Sequence, residues 1–209
     1  MWEEHRLEDV ATPEAFARQP AVVQRFYNER RRSLLAPSVA PNAAHLALAE
    51  LERRWPGELL LVTQNIDDLH ERAGSTRLLH MHGELLKVRC GECHAVHPWR
   101  VDVTGGESCD ACAAVGTLRP HVVWFGEVPL GLDAAFAALA AADLFIAIGT
   151  SGKVYPAAGF VEVVRQGGRG HTIEMNTEAT AAAGWFDQQR LGPASETVPA
   201  LVDELLGIA

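Results

Sequence analysis

No stretch of this sequence reaches the roughly 18 uncharged apolar residues that a membrane-spanning helix needs. Asp143 and Lys153 interrupt the longest candidate. The opening residues, Met1 to Arg6, have none of the character of an export signal. Clustered basic residues are nearly missing too: the formal charge is −9, the pI is near 5.4, and the single basic run is Arg30, Arg31 and Arg32. A nucleic-acid backbone is thereby excluded as the main partner, because binding phosphates requires grouped Lys and Arg. Arg31 and Arg32 read as a solvated helix face. Internal repeats, low-complexity stretches and a complete Gly-x-Gly-x-x-Gly are also lacking. The expectation is a soluble cytoplasmic protein with neither membrane nor nucleic acid among its partners.

Cysteine is equally sparse, and its placement is informative. The four cysteines form two close pairs, Cys90 with Cys93 and Cys109 with Cys112, separated by a fifteen-residue spacer. Without an export signal, such pairs point to a metal rather than to disulfides. Each C-x2-C turn can aim two thiolates at one tetrahedral zinc ion, and four thiolates leave no position open for a catalytic water. The metal is therefore expected to be structural, which disfavours a zinc hydrolase. His94 and His97 are expected as surface residues, and the chemistry must lie elsewhere.

With 209 residues and 48% apolar content, the chain can bury one sizeable core, or a core with a small satellite. Thr12, Pro13 and Glu14 read as the cap and first turn of a short helix. Further helices are expected over 20–35, 42–55, 132–142, 156–166 and 196–206, and strands over 59–63, 78–81, 122–124, 144–148 and 172–175. Strands alternating with helices imply an α/β fold with a mostly parallel, Rossmann-like sheet. The interval from Cys90 to Cys112 breaks that rhythm and reads as an insertion.

Four polar turns follow apolar strands, at the carboxyl ends where open α/β sheets bind ligands. Gln64, Asn65 and Asp67 form the first; an amide followed by a carboxylate suits a carboxamide such as nicotinamide's, although a capping turn has the same composition. His82, before Gly83, is a candidate general base, since neutral imidazole accepts a hydroxyl proton near pH 7. Gly149, Thr150 and Ser151 are small enough to bring backbone amides up to a phosphate or ribose. Asn176 closes the last strand and suits a ribose. These turns suggest one shared crevice.

Taken with the cysteine pairs and Val123-Trp124-Phe125-Gly126-Glu127, the motifs occur in the order and approximate spacing of the sirtuins, which the whole chain resembles. The resemblance implies NAD-dependent removal of acyl groups from protein lysines, with NAD consumed as co-substrate and one structural zinc per chain. It implies that Gln64, Asn65 and Asp67 line the nicotinamide-ribose pocket, that His82 is the base, and that Gly149, Thr150, Ser151, Asn176 and Ala194 hold the adenosine half. It further implies that Val123, Phe125, Gly126 and Glu127, with Val154 and Tyr155, flank an acyl-lysine peptide added as an extra strand. In the implied reaction the acyl oxygen displaces nicotinamide, and His82 then deprotonates a ribose hydroxyl that attacks the resulting imidate. Water then completes the release of free lysine and O-acyl-ADP-ribose.

Tyr27 and Arg30, three residues apart on one helix face, are similar to the Tyr-x-x-Arg of sirtuins that remove succinyl or malonyl groups, and Ala11 matches the small residue that widens their acyl pocket. A guanidinium can grip a terminal carboxylate while a phenol adds a hydrogen bond. The resemblance also implies an opening strand and Gly-Ala-Gly loop, after which this chain starts; a start placed too late is the favoured explanation. The rival function is a catalytically impaired module that binds acyl-lysine or ADP-ribose. The expected division is a Rossmann-like NAD-binding domain over 41–86 and 121–209, and a helical and zinc-ribbon small domain over 8–40 and 87–120.

Overall fold

The computed structural model describes residues 6–208, so most of the opening segment discussed above lies outside them. The helices are α1 (Leu7–Val10), α2 (Pro13–Arg18), α3 (Pro20–Leu34), α4 (Ala43–Arg54), α5 (Leu69–Ala73), α6 (Leu132–Ala141), α7 (Phe160–Gly167) and α8 (Ala194–Leu206). The strands are β1 (Leu61–Thr63), β2 (Leu78–His80), β3 (Gly83–Cys90), β4 (Val96–Pro98), β5 (Leu118–Val122), β6 (Leu144–Ile148), β7 (His171–Asn176) and β8 (Gln188–Leu191). Helix starts follow local chemistry. The Thr12 side chain accepts from the Ala15 amide with Pro13 at the first position, and Asn42 with His45 completes a reciprocal cap on α4. Among the described residues no helix is long and apolar enough to cross a membrane.

The chain forms two compact units. The first comprises the described part of Met1–Ala40 together with Val62–Asp68 and His80–Leu130. Its sheet has the order β4-β3-β5 with antiparallel pairing. Pro120 lies within β5, an edge strand, where a missing amide donor is tolerated. Val88, Cys90, Val103, Cys109 and Leu118 form the ribbon's core, with Trp99 packed against it. Helix α3 is bolted to the ribbon by side chains. The Asn28 amide donates to the Val103 carbonyl (2.9 Å) and accepts from the Val103 amide (2.9 Å), and Gln24 donates to the Leu118 carbonyl (2.7 Å).

Arg31 corrects the expectation of a solvated face, being only 1% exposed. Its guanidinium donates to Asn28 Oδ1 (2.7 Å), the Leu85 carbonyl (3.2 Å) and the Val101 carbonyl (3.2 Å). These acceptors compensate for burying a cation that does not lose its charge. Arg32 is exposed, as expected, and pairs with Asp102.

The second unit comprises Pro41–Leu61, Leu69–Leu79 and the described part of Gly131–Ala209. Its sheet, β6-β7-β8, is parallel, with Ile146 opposite Ile173 and Met175 opposite Arg190. Ile173 and Met175 on one face pack with Ala44 and Leu51 of α4 and Val198, Leu201 and Val202 of α8. A short 3-10 turn, Ala157–Gly159, precedes α7 where one continuous helix was expected. The α/β, Rossmann-like character expected of the chain is present in this parallel sheet with its helical cover, and the ribbon is present in the first unit.

Candidate active site

In the first unit, β1 delivers the chain to a turn built by side-chain bonds. Thr63 is buried, and its hydroxyl accepts from the Asn65 amide at 3.1 Å, turning Gln64 to Asp67 away from the strand. The Ile66 carbonyl accepts from the Leu85 amide at 2.7 Å, strapping that turn to β3. Asn65 is exposed, whereas Gln64 and Asp67 are half-buried.

His82 follows β2 and is half-buried, with Nδ1 at 3.0 Å from the Gln64 carbonyl oxygen. A carbonyl can only accept, so Nδ1 carries the proton and Nε2 keeps its lone pair. Burial lowers the pKa of the ring below its ordinary value, against a smaller opposing pull from the Gln64 bond. The result is a neutral imidazole near pH 7 with one nitrogen ready to accept a proton. Gly83 has a structural reason to follow it: φ is +80°, and a Cβ there would lie 2.1 Å from the His121 carbonyl oxygen. The His82 carbonyl in turn accepts from the Val123 amide at 2.8 Å, joining the candidate base to the segment expected to take a peptide.

That segment turns at Trp124 to Glu127, with the Glu127 amide donating to the Trp124 carbonyl at 3.0 Å and Gly126 at φ +88° in the third position, where a type II turn needs glycine. Phe125 is 54% exposed, and its amide donates to the carbonyl of buried Ala11 at 3.0 Å. The Glu127 carboxylate accepts from Arg119 at 2.7 and 2.9 Å and from the Trp124 amide at 2.8 Å, so this side chain braces the turn. Arg119 also stacks on the Trp124 ring, 3.4 Å from its centroid. Tyr27 is wholly buried, and its hydroxyl oxygen accepts from Trp124 Nε1 at 2.9 Å. Arg30, half-buried, stacks over Phe26 at 3.2 Å and donates to the Phe26 carbonyl at 3.1 Å.

In the second unit, Gly149, Thr150 and Ser151 follow β6, Asn176 ends β7, and Ala194 opens α8 just after β8. All lie at the carboxyl ends of three parallel strands, the position from which such sheets bind nucleotides. Gly149 (φ +62°) donates its amide to the Met175 carbonyl at 2.8 Å. The Asn176 side chain donates to the Thr150 carbonyl at 2.8 Å and accepts from the Thr177 amide at 2.9 Å, so it shapes this loop while retaining capacity for a ligand. Val154 is 40% and Tyr155 76% exposed.

The four cysteine sulfurs lie within 4.8 Å of one another. Cys90 and Cys112 are 3.7 Å apart and Cys93 and Cys109 3.6 Å apart. A tetrahedral ion with Zn–S bonds of about 2.3 Å sets sulfurs ~3.8 Å apart, so the set fits one structural zinc and no disulfide. The two halves repeat one another. The Cys90 amide donates to the Ala95 carbonyl and the His94 amide to the Cys90 carbonyl; the Cys109 amide donates to Ala114 and the Ala113 amide to Cys109. His94 and Ala113 share positive φ, 61° and 59°. His94 is exposed as expected, while His97 is half-buried with Nε2 3.5 Å from Cys109 Sγ.

Three residues that sequence reasoning passed over thus organise the first unit: Trp124, Arg119 and Asn28. Trp124 was visible inside the Val123 to Glu127 motif, but its partner Tyr27 lies 97 positions away. Nothing local marks Arg119 or Asn28.

Parallel strands whose carboxyl ends carry small and polar residues, with a four-thiolate ribbon, fit the class of α/β nucleotide-binding proteins with a structural zinc. Residues 1–156 match the model of the Sir2 family. Among curated proteins, the NAD-dependent protein deacylase of Escherichia coli strain K12 is 57% identical over 206 residues, covering 99% of this chain and 74% of that protein. The Salmonella typhimurium protein of the same description is 56% identical over 99% of this chain and 75% of its own length. Among solved structures, a complex of a Sir2 homologue with NAD superposes with TM-score 0.89 at 38% identity, covering 100% of this chain and 80% of that one. A Sir2 protein bound to a myristoylated histone peptide gives 0.78 at 34%, over 96% and 86%. The chain belongs to the Sir2 family.

Proposed function

We propose that this chain removes succinyl and malonyl as well as acetyl groups from protein lysines, releasing nicotinamide and O-acyl-ADP-ribose. NAD-dependent protein-lysine deacylation itself follows from the family and from curated deacylases 56–57% identical over 99% of the chain. The observation that carries the reading of the site is the His82 ring, held by the Gln64 carbonyl through Nδ1 so that Nε2 is free to take a proton. In this reading Gln64, Asn65 and Asp67 receive the nicotinamide ribose, and Gly149, Thr150, Ser151, Asn176 and Ala194 receive the adenosine half. Val123, Phe125, Gly126, Glu127, Val154 and Tyr155 flank the peptide, and Ala11, Tyr27 and Arg30 surround the acyl group. Glu127 contributes through its backbone, since its carboxylate is engaged.

The NAD-binding domain is proposed to cover 41–86 and 121–209 and the small domain 8–40 and 87–120. The boundary at 86/87 cuts within β3, so this functional division differs from the compact units. A cytoplasmic location is supported by the reduced state that four zinc thiolates require. Acyl-lysine peptides are the expected partners, and the net charge of −9 disfavours nucleic acid. Formation of deacylated peptide and O-acyl-ADP-ribose from NAD and an acyl-lysine peptide is the test: it should require both reactants and fall by about 10²–10⁴ in His82→Ala. Deacylation at the parental rate by a folded His82→Ala protein would remove His82 from the mechanism, and peptide binding without any turnover would favour a binding module.

A further inference from the structure

We propose that Trp124, held by Arg119 and Glu127, is a positioning residue that aims the Tyr27 hydroxyl proton at a carboxylate carried by the acyl group. The inference rests on the reading that Tyr27 and Arg30 surround that group, and it assigns what orients the phenol.

An indole nitrogen donates and never accepts. With Trp124 Nε1 at 2.9 Å, the Tyr27 oxygen is therefore the acceptor, and the phenolic proton must point elsewhere. No acceptor for that proton is found among the described residues, although Tyr27 is 0% exposed. A wholly enclosed donor left without a partner is rare in folded chains and points to an incoming acceptor. Burial holds the phenol's pKa up at about 12, so it stays a neutral donor, while Arg119 and Arg30 favour negative charge there and Glu127 opposes them more weakly. An anion fits that environment, with half-buried Arg30 as the outer donor and Tyr27 as the inner one. Malonyl and succinyl groups present such an anion, whereas acetyl does not.

The indole cannot swing away from this task. Arg119 covers its face at 3.4 Å, Phe16 packs on it with ring centroids 5.2 Å apart, and its backbone amide donates to Glu127 at 2.8 Å. Glu127 is fixed in turn by the paired bonds from Arg119. Its pKa is pushed up by burial but pulled down further by Arg119 and the Trp124 amide, which keeps the brace ionised at neutral pH.

The test is a double-mutant cycle read as the ratio of dissociation constants for matched succinyl- and acetyl-lysine peptides, measured by calorimetry. Trp124→Phe should reduce the succinyl preference roughly three- to tenfold, the worth of one hydrogen bond. In a Tyr27→Phe background the same substitution should change the preference no further, because the oriented proton is already gone. Glu127→Gln, which keeps an acceptor for the Trp124 amide, should act in the same direction by less and guards against poor folding of Trp124→Phe. Equal losses in both backgrounds would mean that Trp124 acts only by packing, and an unchanged preference in Trp124→Phe would overturn the proposal while Arg30→Met still abolished it. A parent chain with no succinyl preference would overturn the acyl-pocket reading and this inference together.

Discussion

The two compact units hold their candidate groups by different means. In the first, the residues proposed to react and to select are fixed by side chains that reach across that unit: His82 to the Gln64 carbonyl, Trp124 to Tyr27, and Asn28 and Arg31 to the ribbon. In the second, small residues at the ends of parallel strands expose backbone, and one side chain, Asn176, ties the loop after β6 to β7. The difference matches the tasks proposed for them. Choosing an acyl group and placing a base depend on the direction of particular protons, whereas a nucleotide's phosphates and riboses are held by amides and shape.

The largest expected effect falls on the ribbon of the first unit. Replacing Cys109 and Cys112 together by Ser should abolish zinc binding, because two thiolates cannot complete the tetrahedral site, and should unfold the ribbon core around Val88 and Val103. Metal analysis with thermal unfolding checks this; full zinc occupancy in the double variant would refute the ligand set. Next comes Gly83→Ala. With φ at +80° and a backbone oxygen 2.1 Å from the new Cβ, it should destabilise by about 2–4 kcal/mol or prevent folding, seen in denaturant melts. By contrast Gly149→Ala in the second unit meets no atom within 4 Å and should cost only about 1 kcal/mol from its positive φ. Near-equal losses at the two glycines would erase the contrast between the units.

A smaller effect, on selectivity alone, is expected from Arg30→Met. It should lower kcat/KM for succinyl-lysine peptide roughly ten- to hundredfold relative to acetyl-lysine peptide, as one charged hydrogen bond warrants. Equal losses on both peptides would show that Arg30 serves the helix through its stacking on Phe26.

How far the sequence disclosed all this varies with the range of the interaction. The zinc site was legible because C-x2-C spacing is itself a distance constraint, and α2, α3 and α4 because Pro13, Pro20 and Asn42 mark their starts. Strand β6, Leu144–Ile148, matched its apolar run residue for residue. Strand β3 escaped notice because its pairing with β5 shifts register between Glu84 and Val88, which breaks the alternation a half-buried strand would show. Strand β5, Leu118–Val122, was expected too late, at 122–124; it includes Pro120, which its edge position tolerates. Arg31 could not be read as buried, since its acceptors Leu85 and Val101 come from distant segments. The polar turns were legible as candidates, but the tautomer of His82 rests on a contact to Gln64, 18 residues earlier.

That tautomer carries the account of the chemistry, and nitrogen NMR of the His82 ring reads it without requiring turnover. At pH 7 the account predicts a neutral ring with the proton on Nδ1 and an unprotonated Nε2, titrating below the ordinary histidine value of about 6.5 because burial disfavours the cation. The sign for stability follows: the unfolded chain binds the proton more readily, so the folded protein loses stability as pH falls through that range. A His82 that is cationic at pH 7, or neutral with its proton on Nε2, would contradict the assignment of this residue as the base.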